Sequence, residues 1–271
     1  SSLLALVFIF VGHFASAQPK PFSPTSLLSQ GSIYQWTGEN GLISNNITSA
    51  IQSSEGFIWI TTYNGIMRFD GNRIVVYDRL TLPFLETDAF YQVYEDYKGV
   101  LWFASQGSGI VLYKNKKFEL LETTGEKVPK SVRSLFIEDN GIVWIGSNNE
   151  GLYKLNQDDE LVKVKAGVID DIGILDIAKD ANGKLWIATD GKGLFSYDGS
   201  AFKRFDQGTG LLSDNVNTLA ISKEGTVYVG GADGLNVIKD EKVSAFNSLL
   251  NIPINDLNID EEGRKWVATE N

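Results

Sequence analysis

A glycine followed three residues later by an aromatic inside a short apolar run recurs six times along this chain at nearly constant spacing. The segments are SSEGFIWITT, DYKGVLWFAS, EDNGIVWIGS, DANGKLWIAT, SKEGTVYVGG and DEEGRKWVAT. Their aromatics, Trp59, Trp102, Trp144, Trp186, Tyr228 and Trp266, are 43, 42, 42, 42 and 38 residues apart. The glycines are Gly56, Gly99, Gly141, Gly183, Gly225 and Gly263. A repeat of this length means one supersecondary unit per period, each burying its apolar face on its neighbours. A second glycine (Gly65, Gly109, Gly151, Gly193, Gly234) follows the first five aromatics by six or seven residues and opens another run such as GIMRFDG or GLFSYDG. Each unit thus reads as four short strands bounded by Gly, Asn and Asp. In the first unit these are residues 47–52, 57–61, 65–69 and 73–77.

The turn in D/E-x-x-G needs a residue at positive φ, which glycine adopts without steric cost. The aromatic three residues on lies in the second strand and is expected to fill the wedge between neighbouring sheets. Four strands about every 42 residues match the blade of a β-propeller. Helical repeats would show a 3.6-residue period, and a parallel β-helix would show shorter coils. The predicted fold is all-β: a β-propeller of four-stranded antiparallel blades, with five complete blades and part of a sixth. FKRFDQGTGLLSDNV (202–216) and IYQWTGENGLISNNI (33–47) share G-L-x-S-x-N after an aromatic. Residues 33–37 are therefore expected to form an outer fourth strand that closes the ring by strand exchange. The chain then reads as a fragment of a ring of seven blades.

Of the 271 residues, 43% are hydrophobic and 21% charged, as in ordinary globular chains. The net charge of −10 and the lack of a basic run argue against nucleic-acid contact, which needs clustered Lys and Arg. With no Cys and a single His, His13, the chain offers no disulfide, thiolate or histidine metal site and no Ser-His-Asp triad. The run LLALVFIF at 3–10, followed by Ala15-Ser16-Ala17, reads as a signal peptide over 1–17 with cleavage after Ala17. Residues 18–32 form a lead-in and 33–271 the propeller. No cofactor and no metal are expected. The acidic runs Asp158-Asp159-Glu160, Asp170-Asp171 and Glu261-Glu262 lack the spaced ligands of a calcium loop.

The stretch Asn40–Gly71, N-G-L-I-S-N-N-I with G-F-I-W-I-T-T and G-I-M-R-F-D-G, resembles the two-component regulator propeller repeat. Residues 175–199 and 209–231 repeat it, and the resemblance runs from about residue 33 to the end. Unit five departs at Tyr228 and Gly230-Gly231. The resemblance implies the periplasmic half of a sensor, followed by a small β-sandwich, a membrane helix and a histidine kinase. Its ligand would be an oligosaccharide or similar small molecule. The parent protein would sit in the inner membrane and pair as a homodimer.

Propellers bind on loops joining strands two and three and on loops between blades, where side chains are free to vary over a rigid scaffold. The candidate ligand residues are Tyr63, Asn64, Gln106, Ser108, Asn148, Asn149, Glu150, Asp190, Lys192 and Asp233; solvated turns would look the same. Phe84, Phe90, Tyr91, Tyr94 and Tyr97 form an aromatic-rich patch, the last four of them around the first strand of unit two near the central channel, for which core packing is favoured. No catalytic residue is identified. A secreted protein–protein platform, or an enzyme working through paired carboxylates, are the competing readings.

Overall fold

The computed structural model describes residues 36–38 and 41–269. Successive repeats fold into successive antiparallel sheets, each meandering in chain order. Blade one is β1 (Ile47–Gln52), β2 (Ile58–Thr62), β3 (Gly65–Phe69) and β4 (Ile74–Tyr77). Blade two is β5 (Phe90–Glu95), β6 (Leu101–Ser105), β7 (Ile110–Lys114) and β8 (Lys117–Leu120). After β9 (Thr124–Gly125), blade three is β10 (Val132–Ile137), β11 (Val143–Ser147), β12 (Leu152–Leu155) and β13 (Glu160–Lys163). Blade four is β14 (Ile174–Lys179), β15 (Leu185–Thr189), β16 (Leu194–Tyr197) and β17 (Phe202–Phe205). Blade five is β18 (Val216–Ile221), β19 (Val227–Gly231), β20 (Gly234–Lys239) and β21 (Lys242–Ala245). β22 (Ile254–Ile259) and β23 (Lys265–Thr269) form a two-stranded sixth sheet. This is the propeller expected from the repeats, with five complete blades and part of another.

The second and fourth strands of blade one begin one residue later than the pattern suggests. Phe57 and Arg73 belong to the turns, because their carbonyls accept the amides of Ser53 and Asp70. β9 has no counterpart in the repeat: it pairs in parallel with β13, making blade three five-stranded. Of the predicted outer strand at 33–37, residues 33–35 lie outside the described residues, as do 1–17 and 18–32. Trp36 and Thr37 join no strand. The Trp36 ring instead meets Phe69 edge-on at 5.1 Å, and the Thr37 carbonyl accepts the Leu42 amide.

The repeat acid has a double task that its position in the turn alone does not reveal. In blade four, Asp180 Oδ1 accepts the amides of Asn182 and Lys184 at 2.9 and 3.0 Å, closing the turn at Gly183 (φ 84°). Its Oδ2 accepts the indole N–H of Trp186 at 3.1 Å. The same indole–carboxylate bond joins Trp102 to Asp96, Trp144 to Glu138 and Trp266 to Asp260. Trp186 itself is 4% exposed and packs among side chains of blades four and five, including Phe205, Leu219 and Val229. Trp59, Trp102 and Trp144 are likewise buried in the core, as expected. Trp266 is the exception at 48% exposure, because β23 pairs only with β22 and no third strand covers the ring among the described residues. The second glycine of the unit answers to space: a Cβ on Gly193 would lie 2.2 Å from the Phe205 carbonyl oxygen of β17.

The first strands lie side by side around the centre. Each carries a β-bulge near its start, between Ile47 and Ser49, Phe90 and Gln92, Val132 and Ser134, Ile174 and Asp176, Val216 and Thr218, and Ile254 and Asp256. From this point a side chain reaches the next blade. Thr48 Oγ1 donates to the Phe90 carbonyl at 2.8 Å, and Gln92 Oε1 accepts the Leu135 amide at 2.6 Å. Ser134 Oγ donates to the Ile174 carbonyl at 3.0 Å. Asp176 Oδ2 accepts the Leu219 amide at 2.7 Å, and Asn217 Nδ2 donates to the Ile254 carbonyl at 2.9 Å. Every blade boundary among the described sheets thus carries one such bond.

Asp180→Ala removes the turn cap and leaves the Trp186 indole N–H without its acceptor. It is expected to lower stability by about 2 kcal/mol in urea unfolding, whereas Asp190→Ala on an exposed loop should change it by less than about 0.5 kcal/mol. Equal effects of the two substitutions would refute the role assigned to Asp180.

Candidate functional site

The chain enters each first strand from one face of the ring, and the loops between second and third strands open on that same face. The D/E-x-x-G turns lie on the other. Nine of the ten candidate loop residues are exposed, and Ser108 is half-buried. No hydrogen bond joins any two of them among the described residues. Several serve the scaffold. The Ser108 hydroxyl accepts the Glu86 amide at 2.8 Å, fixing the link between blades one and two. Glu150 Oε2 accepts the Tyr153 hydroxyl at 3.3 Å; burial first, then this carboxylate, pushes the phenol up to about 12. Backbone atoms of Gln106, Asn148, Asp190, Lys192 and Asp233 bond to Ala89, Ser131, Gly173, Arg204 and Asn251 respectively. Asn64 turns back on its own loop, donating its amide to Thr62 Oγ1. For the side chain of Asn149 the structure shows exposure alone.

Tyr63 is different. Its ring, 46% exposed, meets Tyr91 edge-to-face at 6.0 Å. Tyr91 is the bulge residue of β5, and over its ring lies the guanidinium of Arg133, the bulge residue of β10, at 4.4 Å from the centroid. A loop residue of blade one, an aromatic of blade two and a cation of blade three so touch in sequence on the face where the first strands begin. The aromatic-rich patch is divided accordingly. Phe90 is core, and Tyr94 is half-buried with its phenol raised by burial. Tyr91 lies on the face where the first strands begin, while Phe84 and Tyr97 are 38% and 60% exposed. The core packing favoured for the patch therefore holds for Phe90 but not for Phe84 and Tyr97, which lie in a link and a turn. Arg133 was missed by loop reasoning. Its signal is positional: it stands eleven residues before Trp144, at a place occupied in turn by Thr48, Tyr91, Arg133, Leu175, Asn217 and Asn255.

Farther round the wall, Asp176 and Asp256 flank Thr218, whose hydroxyl lies 3.3 and 3.4 Å from their carboxylates. One hydroxyl proton can serve only one of them at a time. Burial pushes Asp176 up to about 7, opposed by the amides of Leu219 and Ile177 and aided by Asp256. Burial raises Asp256 as well. Both carboxylates accept backbone amides, Leu219 and Ile177 on Asp176 and Leu257 on Asp256, so they work as struts of the wall.

On the opposite face a cleft of about 320 Å³ separates the turns of blades two and three, lined by Tyr97, Lys98, Asn140, Asn156, Gln157 and Asp159. Its amides are engaged within the cleft wall: Gln157 donates to the Asn140 carbonyl, and Asn156 donates to Glu160. Among the described residues no cluster of acidic or histidine side chains could hold a metal ion, and no helix is long and apolar enough to cross a membrane.

The two-component regulator propeller model matches residues 41–64 and 168–191, in blades one and four. A histidine kinase of Formosa agariphila is 25% identical over 72% of this chain, which spans 16% of that protein. Among solved structures, the extracellular domain assigned to a hybrid two-component system of B. thetaiotaomicron superposes with a TM-score of 0.75 at 20% identity. The match covers 87% of this chain and 34% of that one. Virginiamycin B lyase of Staphylococcus aureus superposes with a TM-score of 0.65 at 13% identity, over 82% of this chain and 77% of its own. Sensor ectodomain and enzyme share the architecture, so the fold alone does not select between them.

The raised Asp176 has a consequence for stability. An unfolded carboxyl releases its proton near pH 4, whereas the folded one holds it up to about 7. The folded chain therefore binds more protons across this window, and this group's contribution to stability falls as pH rises through it. Relative to Asp176→Asn, the wild type should lose stability between about pH 4.5 and about pH 7.5 in urea titrations. A difference that stays constant with pH would mean that Asp176 titrates as an ordinary carboxyl.

Proposed function

Because the chain carries two-component regulator propeller repeats, we propose that it is the extracytoplasmic ligand-sensing propeller of a two-component sensor. The ligand is an oligosaccharide or a comparable extracellular molecule, and the signal passes to a histidine kinase in the same protein. Export by residues 1–17 and an inner-membrane parent that pairs as a homodimer belong to the same proposal. The observation that carries it is the Tyr63–Tyr91–Arg133 run of contacts on the face where the first strands begin. Exposed aromatic rings beside a guanidinium suit stacking on a sugar and hydrogen bonding to its substituents. The similar histidine kinase of F. agariphila and the extracellular domain from B. thetaiotaomicron support the sensing role.

An enzyme reading would look to Asp176 and Asp256 as paired carboxylates. Their engagement with backbone amides favours the strut role instead. For the platform reading, the exposed large apolar residues of this face, Leu80 and Phe84, Val168, and Phe246 and Leu250, are spread over three non-adjacent links between blades.

The test is binding of the intact protein to an array of oligosaccharides, repeated with Tyr63→Ala. Loss of one stacking face is expected to weaken the bound glycan by about tenfold, an effect of the size stacking contributes, without moving the melting temperature. If the array stays empty and the intact protein instead retains a protein partner, the platform reading replaces this one.

A further inference from the structure

Arg133 is the cation carried at the start of a first strand, where its guanidinium lies over the Tyr91 ring. Two other cations on the same face are paired: Arg79 with Asp88 at 2.8 Å and Lys130 with Glu86 at 2.6 Å. The other arginines in ion pairs among the described residues are Arg204 and Arg264. Arg133 has no carboxylate partner there, although the chain carries 34 acidic residues against 24 Lys and Arg. Its contact is the face of Tyr91. Such stacking leaves the edge of the guanidinium fork, with its N–H donors, turned away from the ring and open to a second partner.

We propose that Arg133 makes this face selective for an acidic sugar, a pyranose bearing a carboxylate or a sulfate. The oxyanion bonds to the guanidinium and the ring lies against Tyr63. This deepens, and rests on, the ligand-sensing reading. A half-buried guanidinium has already lost part of its hydration, so a planar or tetrahedral oxyanion with two acceptor oxygens restores its hydrogen bonds in the geometry the fork favours. Tyr91 holds the cation in place before the ligand arrives, which lowers the ordering cost of binding. The acid of the ligand is thereby placed at blade three, beside Arg133. Tyr63, 46% exposed, supplies the apolar face that a sugar ring needs.

The experiment compares the intact wild-type protein on uronate-containing, sulfated and neutral oligosaccharides of equal length, at low and at high salt. Acidic glycans should bind at least about tenfold more tightly than neutral ones and weaken with salt, as charge-assisted pairing requires. The uronate and sulfate arms identify which oxyanion is meant. Arg133→Gln should abolish the preference, and Arg133→Lys should retain part of it; unchanged melting temperatures show that both variants fold. Because the preference is read on the wild type first, a variant that failed to fold would leave that test intact. Equal or tighter binding of neutral glycans, indifferent to salt and to Arg133→Gln, overturns the acidic-sugar assignment while the sensing reading stands. Binding of no glycan in any arm overturns both.

Discussion

The innermost strand of a blade has one edge that no further strand can occupy, and this chain covers that edge with a side chain from the neighbouring blade. The bonds from Thr48, Gln92, Ser134, Asp176 and Asn217 to the next first strand do more than join sheets. An unpaired strand edge invites pairing with other chains, and buried backbone groups without partners cost free energy. A bulge at one fixed place meets both demands, because it re-aims the strand there. The bond comes from the displaced residue at Thr48 and Asn217, and from the residue after it at Gln92, Ser134 and Asp176. The position of each blade, and with it the alignment of the loops above the channel, follows from that bond and from the apolar wedge behind it.

How far this was legible in the sequence depends on which symmetry is used. Features common to all units can be read from the chain compared with itself. The glycine of the turn, the wedge aromatic and the strand spacing are of this kind, and the strands of blade one fall within a residue of their expected places. Features that belong to one unit cannot be read in that way. β9 arises where Thr124 and Gly125 fold back on β13, a local event with no repeat to announce it.

The candidate site was half legible for the same reason. Looking for variable loops found Tyr63 but also Ser108 and Glu150, whose polar groups hold the frame. It passed over Arg133 because a first strand reads as core by its apolar neighbours Val132 and Leu135. The acid of D/E-x-x-G, taken as a turn former, proved also to be the acceptor for the indole six residues later. In both cases the missing information is the direction of a side chain, which a bulge or a turn changes without altering composition.

The bulge also separates what must stay from what can change. The residue it displaces, Thr48, Tyr91, Arg133, Leu175, Asn217 or Asn255, leaves the ladder without taking a backbone pairing with it. At Tyr91, Arg133 and Leu175 the bond to the next blade comes from the residue after it, so these three places can accept other side chains with the frame intact. Such a ring behaves as a keyboard on a fixed chassis. New recognition can be composed one key at a time, each trial exposing a different chemistry to the same opening while folding proceeds as before.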